Sequence, residues 1–343
     1  MRNEWISSDI LGTNSYELLT DLSGRKPHLT QERELDPYNN AIEFIPVKGK
    51  RDVSKLSMIL APSWIRNRWS EIIRIVERTQ IQFLFDKGFM WPVDCVSGKY
   101  GPGYIVRNYS EYQYDPLSDY FVKPMAERWK ISQNLLKAVR MIHDGGVALN
   151  GITREQIRID KSTGAVLIYP GFYISRLNTH RNDNSLRSGF FLMPDIIRGQ
   201  ESGDRIFTAR QHDIFSAVTM VFYLLFYTHP FIGGKFWAYP HDQYYIQYSN
   251  FPEFIFAKGS SNCLQNIEFD NIIADQWERT HSSLKGLYMD FYEEVCSVGR
   301  IRSHVDIWNL SLWIEALESD AQLNDNPGSR PDFPFETVVN YKV

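Results

Sequence analysis

One stretch of this chain limits what it can fold into more than any other. Residues 213–227, DIFSAVTMVFYLLFY, are apolar on nearly every side of a helix. A helix of that kind is buried all round, so a large domain must surround it. Its most apolar part, residues 218–227, is too short to cross a bilayer, and we therefore expect a helix at the centre of a globular fold.

The composition is that of an ordinary soluble protein. Of the 343 residues, 43% are hydrophobic and 23% are charged, and the net charge of −4 gives no basic bias toward nucleic acid. Neither the three distant cysteines nor the eight histidines form a metal-binding spacing, and the N-terminus has no apolar signal core. We expect a cytoplasmic protein with no membrane span, no nucleic-acid partner and no bound metal.

The first third of the chain is rich in predicted strands. Residues 41–45 (AIEFI) form a credible strand that Pro46 stops, and residues 89–93 and 104–106 indicate two more strands. Residues 64–78 place Ile65, Trp69, Ile72, Ile73 and Val76 on one helical stripe. This part therefore resembles a small sheet with a single helix.

The rest of the chain is mostly helical. Residues 131–142 repeat apolar side chains at helix spacing, and the glycine pair 145–146 follows as a tight turn. Two short strands joined by Lys161-Ser162-Thr163-Gly164 come next. The remaining predicted elements are an irregular polar segment at 175–189 and helices near 283–297 and 304–318.

This order predicts an α+β fold with two lobes and a cleft between them. The small, strand-rich lobe covers about residues 10–105, and the larger helical lobe covers about 106–318. Residues 319–343 contain three prolines and predict an extended tail.

Several strings in this order resemble the protein-kinase fold across residues 10–318. His143–Val147 is similar to the end of the helix before the catalytic loop, and Met193-Pro194-Asp195 is similar to the Ala-Pro-Glu that closes the activation segment. Gln211–Ser216 is similar to the start of the central helix, and Thr228–Phe231 is similar to the loop that leaves it. The Trp91-Pro92 pair is similar to one found in bacterial kinase-like proteins. The resemblance implies a two-lobed kinase-like fold and a bacterial signalling protein.

The residues that perform phosphoryl transfer in that family are missing. Transfer requires a base for the incoming hydroxyl and carboxylates that hold magnesium. The catalytic base falls on Gly151, and the metal-binding asparagine falls on Gln156, which has a longer side chain. The aspartate of Asp-Phe-Gly falls on Tyr169, and a phenol with a pKa near 10 is a poor ligand for a hard cation.

The small lobe shows the same loss. The lysine that pairs with the ATP phosphates falls on Glu43, and only Gly24 remains of the glycine-rich loop. An alternative register retains Lys48, but Pro46 would then interrupt a central strand. Glu43 either pairs with Arg68 or Arg74 of the following helix or is simply solvated, and the sequence leaves both open.

Two aspartates have predicted structural roles. Asp213 opens the very apolar helix, where it would serve as the N-cap and accept hydrogen bonds from the preceding loop. The kinase resemblance also implies that this aspartate holds the backbone of the catalytic loop. Asp195 takes the place of the kinase glutamate, and either pairs with Arg300 or Arg302 or lies exposed.

Together these losses predict a catalytically inactive pseudokinase that acts as a protein-interaction scaffold or allosteric regulator. It would need no cofactor, although weak metal-independent nucleotide binding stays open. The resemblance suggests a metal-dependent phosphatase or a von Willebrand A-type protein as partner. Two alternatives remain: a binding domain unrelated to kinases, and an active phosphoryl- or nucleotidyl-transferase that uses displaced carboxylates among Asp144, Glu155, Asp160 and Asp195.

Overall fold

The computed structural model describes residues 5–9, 15–18, 45–49, 56–61, 63–79, 91–98, 101–107, 113–171, 173–179, 191–194, 207–233, 253–257, 268–296 and 306–323. Within these ranges the fold is mixed α+β with small antiparallel sheets, so the predicted class is confirmed. Contacts divide the chain into two compact units. Unit 1 comprises Met1–Asp115, Met141–Leu149 and Glu155–Leu177, and unit 2 comprises Pro116–Arg140, Asn150–Arg154 and Asn178–Val343. The lobe boundaries 10–105 and 106–318 stay a prediction.

Unit 1 contains a closed barrel of six antiparallel strands. They are β1 (Trp5–Ser8), β2 (Ser15–Leu18), β3 (Ile45–Gly49), β4 (Leu56–Leu60), β5 (Asp94–Gly98) and β6 (Gly101–Arg107). The order around the barrel is β1-β2-β3-β4-β6-β5, and pairing of β1 with β5 closes it. Closure leaves this sheet without an unpaired edge.

The strand predicted at residues 41–45 lies mostly outside the described residues, and its predicted end at Pro46 is wrong. Residues 41–44 lie outside the described part of the chain, and β3 starts at Ile45 and continues through Pro46 to Gly49. Pro46 lies opposite Ser57 of β4, whereas the pairing of β3 with β2 starts only at Val47. Among the described pairs Pro46 faces β4 alone, and a proline is tolerated in a strand where its missing N–H is not needed by a neighbour. The objection that Pro46 would interrupt the strand in the register that retains Lys48 is therefore wrong, because both residues lie within β3.

The helix predicted at 64–78 is confirmed, although its first turn is a 3₁₀ helix, Ser63–Arg68, which leads into α1 (Trp69–Arg78). Of the predicted stripe, Ile65, Trp69, Ile72 and Val76 are buried, and Ile73 is half-buried. The strand directly before this helix is β4, and its sequence Leu-Ser-Met-Ile-Leu carries no charge.

The strand predicted at residues 89–93 is also wrong where it is described. Trp91 and Pro92 are buried but belong to no strand, and β5 starts at Asp94. The apolar character of Trp91 reflects burial alone, since a core residue need not join a ladder. The strand predicted at 104–106 is confirmed within β6.

The structure describes five further short strands. The predicted hairpin is confirmed: β9 (Ile157–Asp160) and β10 (Val166–Ile168) are antiparallel, and β7 (Tyr114–Pro116) joins their sheet. Gly164 ends the connecting turn at φ +71°, a conformation that favours glycine. Separately, β8 (Val147–Ala148) pairs with β11 (Ser175–Arg176).

The remaining helices are α2 (Met125–Asp144), α3 (Ala209–Phe226), α4 (Glu268–Arg279), α5 (Ser282–Cys296) and α6 (Leu310–Leu323). The central helix is confirmed as α3, in which all residues except Arg210, Gln211 and Tyr223 are buried. Phe222 of α3 contacts rings of Phe254, Tyr288 and Tyr292 at centroid distances of 5.8, 5.2 and 5.9 Å. The core of unit 2 is therefore largely aromatic.

Two predictions near the C-terminal end need correction. The helix predicted at 304–318 starts only at Leu310, because Asn309 Oδ1 accepts the Ser311 N–H at 3.0 Å and caps it. The same helix continues to Leu323, so residues 319–323 are helical rather than part of an extended tail. No helix within the described ranges is both long and apolar enough to cross a membrane.

Candidate functional site

The start of α3 is capped by Thr208, not by Asp213. The Thr208 Oγ1 accepts the Gln211 N–H at 3.3 Å, and the Gln211 Oε1 accepts the Thr208 N–H at 2.9 Å. This reciprocal pair is a capping box. The prediction of Asp213 as the N-cap is therefore wrong, because the helix begins four residues before it.

Asp213 instead binds the backbone of a loop in unit 2. It is fully buried, and its Oδ1 accepts the Gly151 N–H at 2.7 Å. The neighbouring His212 places its Nδ1 2.9 Å from Asn150 Oδ1. Two successive side chains of α3 thus hold two successive loop residues.

These two loop residues have left-handed backbone conformations. Asn150 has φ +60° and Gly151 has φ +92°. Asparagine and glycine are the residues that adopt such angles most readily. Asn150 and Gly151 therefore suit the backbone of this loop, and Gly151, which the kinase resemblance aligns with the catalytic base, has no side chain that could accept a proton.

Gln156 and Tyr169 lie together in unit 1. The side-chain Nε2 of Gln156 donates to the backbone carbonyl of Tyr169 at 3.0 Å, and the backbone carbonyl of Gln156 accepts the Tyr169 N–H at 2.7 Å. The Gln156 side chain is buried. Gly171 permits this packing, because a Cβ there would lie 2.8 Å from Gln156 Nε2. The Gln156 amide thus supports the backbone after β10.

The Tyr169 side chain points into the protein and is only 2% exposed. Burial raises the pKa of its phenol far above the ordinary value, so the oxygen stays neutral at any physiological pH. The pKa of Tyr104 in β6 is also raised well above its ordinary value, first by burial and then by the potential charges of Cys95 and Tyr169. A buried neutral phenol does not supply the anionic oxygen that magnesium prefers.

Among the displaced carboxylates, Asp160 has a structural role. Its Oδ1 accepts bonds from the Ser162 Oγ at 2.6 Å and from the N–H groups of Ser162 and Thr163, both at 2.9 Å. Its Oδ2 accepts from Gln113 Nε2 at 2.7 Å. The bond from the Ser162 side chain is the main reason that the pKa of Asp160 lies far below its ordinary value, followed by the bond from Gln113. Asp160 therefore organises the β9–β10 turn.

Several of the remaining predicted residues lie outside the described ranges, and others lie within them. Glu43, Gly24, Asp195, Arg300 and Arg302 lie outside the described residues. On α1, Arg74 is exposed, while Arg68 forms an ion pair with Glu71 at 3.1 Å. Within the described ranges, no group of three or more His, Cys, Asp or Glu side chains is arranged to hold a metal ion.

Sequence reasoning missed two features that position these residues. The Thr208–Gln211 capping box was readable, because a threonine followed three residues later by glutamine is its signature. The contact of Arg68 with the carbonyl of Ile174, at 3.4 Å and 106 residues away, has no local signal.

Comparison with known proteins adds no identity: no protein-family model matches the chain, and no curated protein matches it.

Proposed function

We propose that the chain is a catalytically inactive, two-lobed protein-kinase-like domain that acts by binding another protein, as a scaffold or an allosteric regulator. The observation that carries the proposal is the pairing of Gln156 with Tyr169. The kinase resemblance assigns both magnesium ligands to these two positions. Here one side chain is engaged with backbone and the other is a buried phenol.

The kinase-like frame is supported by the bond from Gly151 to Asp213. The resemblance assigns to Asp213 the role of holding the catalytic-loop backbone, and its Oδ1 accepts from that loop at 2.7 Å. This acid supports the backbone of a loop whose base position is glycine. A backbone support without a reactive side chain is the arrangement expected of an inactive kinase-like domain.

The chemistry argues in the same direction. An enzyme accelerates phosphoryl transfer mainly by placing charges around the phosphates, and its side chains contribute little covalent chemistry of their own. A site without metal-binding carboxylates therefore loses most of its rate enhancement. Gly151, Gln156 and Tyr169 supply no negative charge. The proposal extends to a cytoplasmic bacterial signalling protein whose partner is a metal-dependent phosphatase or a von Willebrand A-type protein.

Two measurements on the full chain test the absence of catalysis. Thermal unfolding with ATP, with and without Mg²⁺ or Mn²⁺, tests metal-dependent nucleotide binding, and transfer of labelled phosphate or nucleotide tests turnover. A ligand at a hundred times its Kd stabilises a protein by about 2.7 kcal/mol, which raises Tm by several degrees. We expect no metal-dependent rise and no transfer of labelled phosphate or nucleotide. A reproducible metal-dependent rise together with turnover would replace the proposal with an active transferase.

The binding role needs a separate measurement. The immobilised full chain is incubated with the purified candidate phosphatase and with the von Willebrand A-type protein of its host. We expect saturable binding of one of them that does not change when ATP and Mg²⁺ are added. Absence of binding to either would remove the partner assignment while leaving the catalytic conclusion intact.

A further inference from the structure

Residues 169–171 and 173–176 follow β10 and are held by unit 1 at several points; we call these residues the strap. The first anchor is Tyr169, whose backbone forms the hydrogen bonds with Gln156 and whose ring is buried. The last anchor is β11, in which Ser175 lies opposite Ala148 and Arg176 opposite Val147. The strap is therefore held at its start by Gln156, directly before β9, and at its end by β8.

Arg68 provides the middle anchor. Its Nη2 donates to the Ile174 carbonyl at 3.4 Å, and the same nitrogen lies 3.1 Å from Glu71 Oε2. The Arg68 side chain is 17% exposed, whereas Glu71 is half exposed. Because Glu71 lies three residues along the helix, it holds the guanidinium at the position from which Arg68 reaches the strap.

The residue after Arg68 ties the start of α1 to the barrel. Trp69 Nε1 donates to Asp9 Oδ2 at 3.0 Å and to Ser97 Oγ at 3.1 Å, and its ring lies 5.6 Å from the ring of Tyr104. The start of α1 is thus fixed, and Arg68 extends from it to the strap. Because the start of α1 is fixed, the Arg68 guanidinium restrains the position of the Ile174 carbonyl.

We propose that the strap is a conformational device that Arg68 holds closed on unit 1. When the contact from Arg68 to Ile174 breaks, residues 173–176 open locally while β9, β10 and the barrel stay folded. Opening would expose Ser175, which is fully buried in the closed state. The inference rests on these contacts alone and does not depend on the kinase resemblance.

Hydrogen–deuterium exchange of the full chain, followed by mass spectrometry of peptides covering 173–177, tests this device. In Arg68→Ala we expect exchange about three- to tenfold faster in those peptides, the factor expected for one ordinary hydrogen bond. Peptides covering β9 and β10 should not change. Arg74→Ala is the matched control, because it removes an exposed arginine from the same helix.

A second variant distinguishes the effect of the contact from Arg68 to Ile174 from the effect of the ion pair between Arg68 and Glu71. Glu71→Ala removes the ion pair but leaves the Arg68 donor in place, so exchange of 173–177 should accelerate less than in Arg68→Ala. Equal acceleration in Glu71→Ala and Arg68→Ala would overturn the proposal, as would no change, or a uniform change across the chain, in Arg68→Ala. If Arg68→Ala does not fold, Arg68→Lys replaces it, and the same selective acceleration is expected because lysine lacks the planar fork.

Discussion

Asp213 Oδ1 accepts a hydrogen bond from the backbone N–H of Gly151 at 2.7 Å, although 62 residues separate them in the chain. Asp213 belongs to the most apolar of the described helices, and it is itself fully buried. A polar group in such a place is costly unless it is hydrogen-bonded, so its loop contact is what permits it there.

Removing this acceptor should destabilise the protein. For Asp213→Ala we expect the free energy of unfolding to fall by about 1–3 kcal/mol, because the buried Gly151 N–H loses this acceptor. Urea denaturation measures the change. Asp144→Ala, at an exposed carboxylate, should stay within about 0.5 kcal/mol of the wild type. A wild-type midpoint for Asp213→Ala would show that the bond contributes nothing.

Asp160 should make stability depend on acid pH. Its folded-state pKa is lowered, so its contribution is complete above the unfolded value, near pH 4, and is lost as the pH falls further. For Asp160→Asn we expect a loss of about 1–3 kcal/mol at pH 7, since the amide cannot accept from both the turn and Gln113. Urea titrations should show the difference from wild type shrinking below about pH 4. A difference that grows on acidification would contradict the assignment.

The packing of Gly171 against Gln156 should appear as a coupling. An added methyl at Gly171 would lie 2.8 Å from Gln156 Nε2 and displace it from the Tyr169 carbonyl, so Gly171→Ala should cost about 1–3 kcal/mol. In a Gln156→Ala background the same substitution should cost less, by about 0.5–3 kcal/mol. A double-mutant cycle from urea denaturation gives this value. Strict additivity would mean that the two residues do not interact.

Two glycines should respond to alanine in opposite directions. Gly286 lies within α5, is exposed and has open space around its Cα, so Gly286→Ala should stabilise by up to about 1 kcal/mol. Gly103 in β6 is different, since a Cβ would lie 2.6 Å from the backbone carbonyl oxygen of Ile59. Gly103→Ala should therefore destabilise by about 1–3 kcal/mol or more. Thermal unfolding of both variants provides the comparison, and a shared sign would contradict it.

Local patterns predicted the helices better than the strands. The stripe Ile65, Trp69, Ile72 and Val76 is buried as expected, because helical periodicity is a property of neighbouring residues. The predicted strand end at Pro46 and the strand predicted at 89–93 were wrong, since the effect of a proline depends on which strand lies alongside and the apolar character of Trp91 indicates burial but not pairing. Pairing partners are distant in the chain, and a single sequence does not reveal them.

The sequence alone determined the buried central helix, the turn at Gly164 and the absence of a side chain at Gly151, because each depends on residue type or close neighbours. Only the tertiary structure decided that Thr208, and not Asp213, caps the central helix. The tertiary structure likewise decided that Tyr169 is buried and that Arg68 contacts the carbonyl of Ile174. The directions of the Asp213, Tyr169 and Arg68 side chains are set by contacts between segments far apart in the chain, where the energy of burial and hydrogen bonding outweighs local preference.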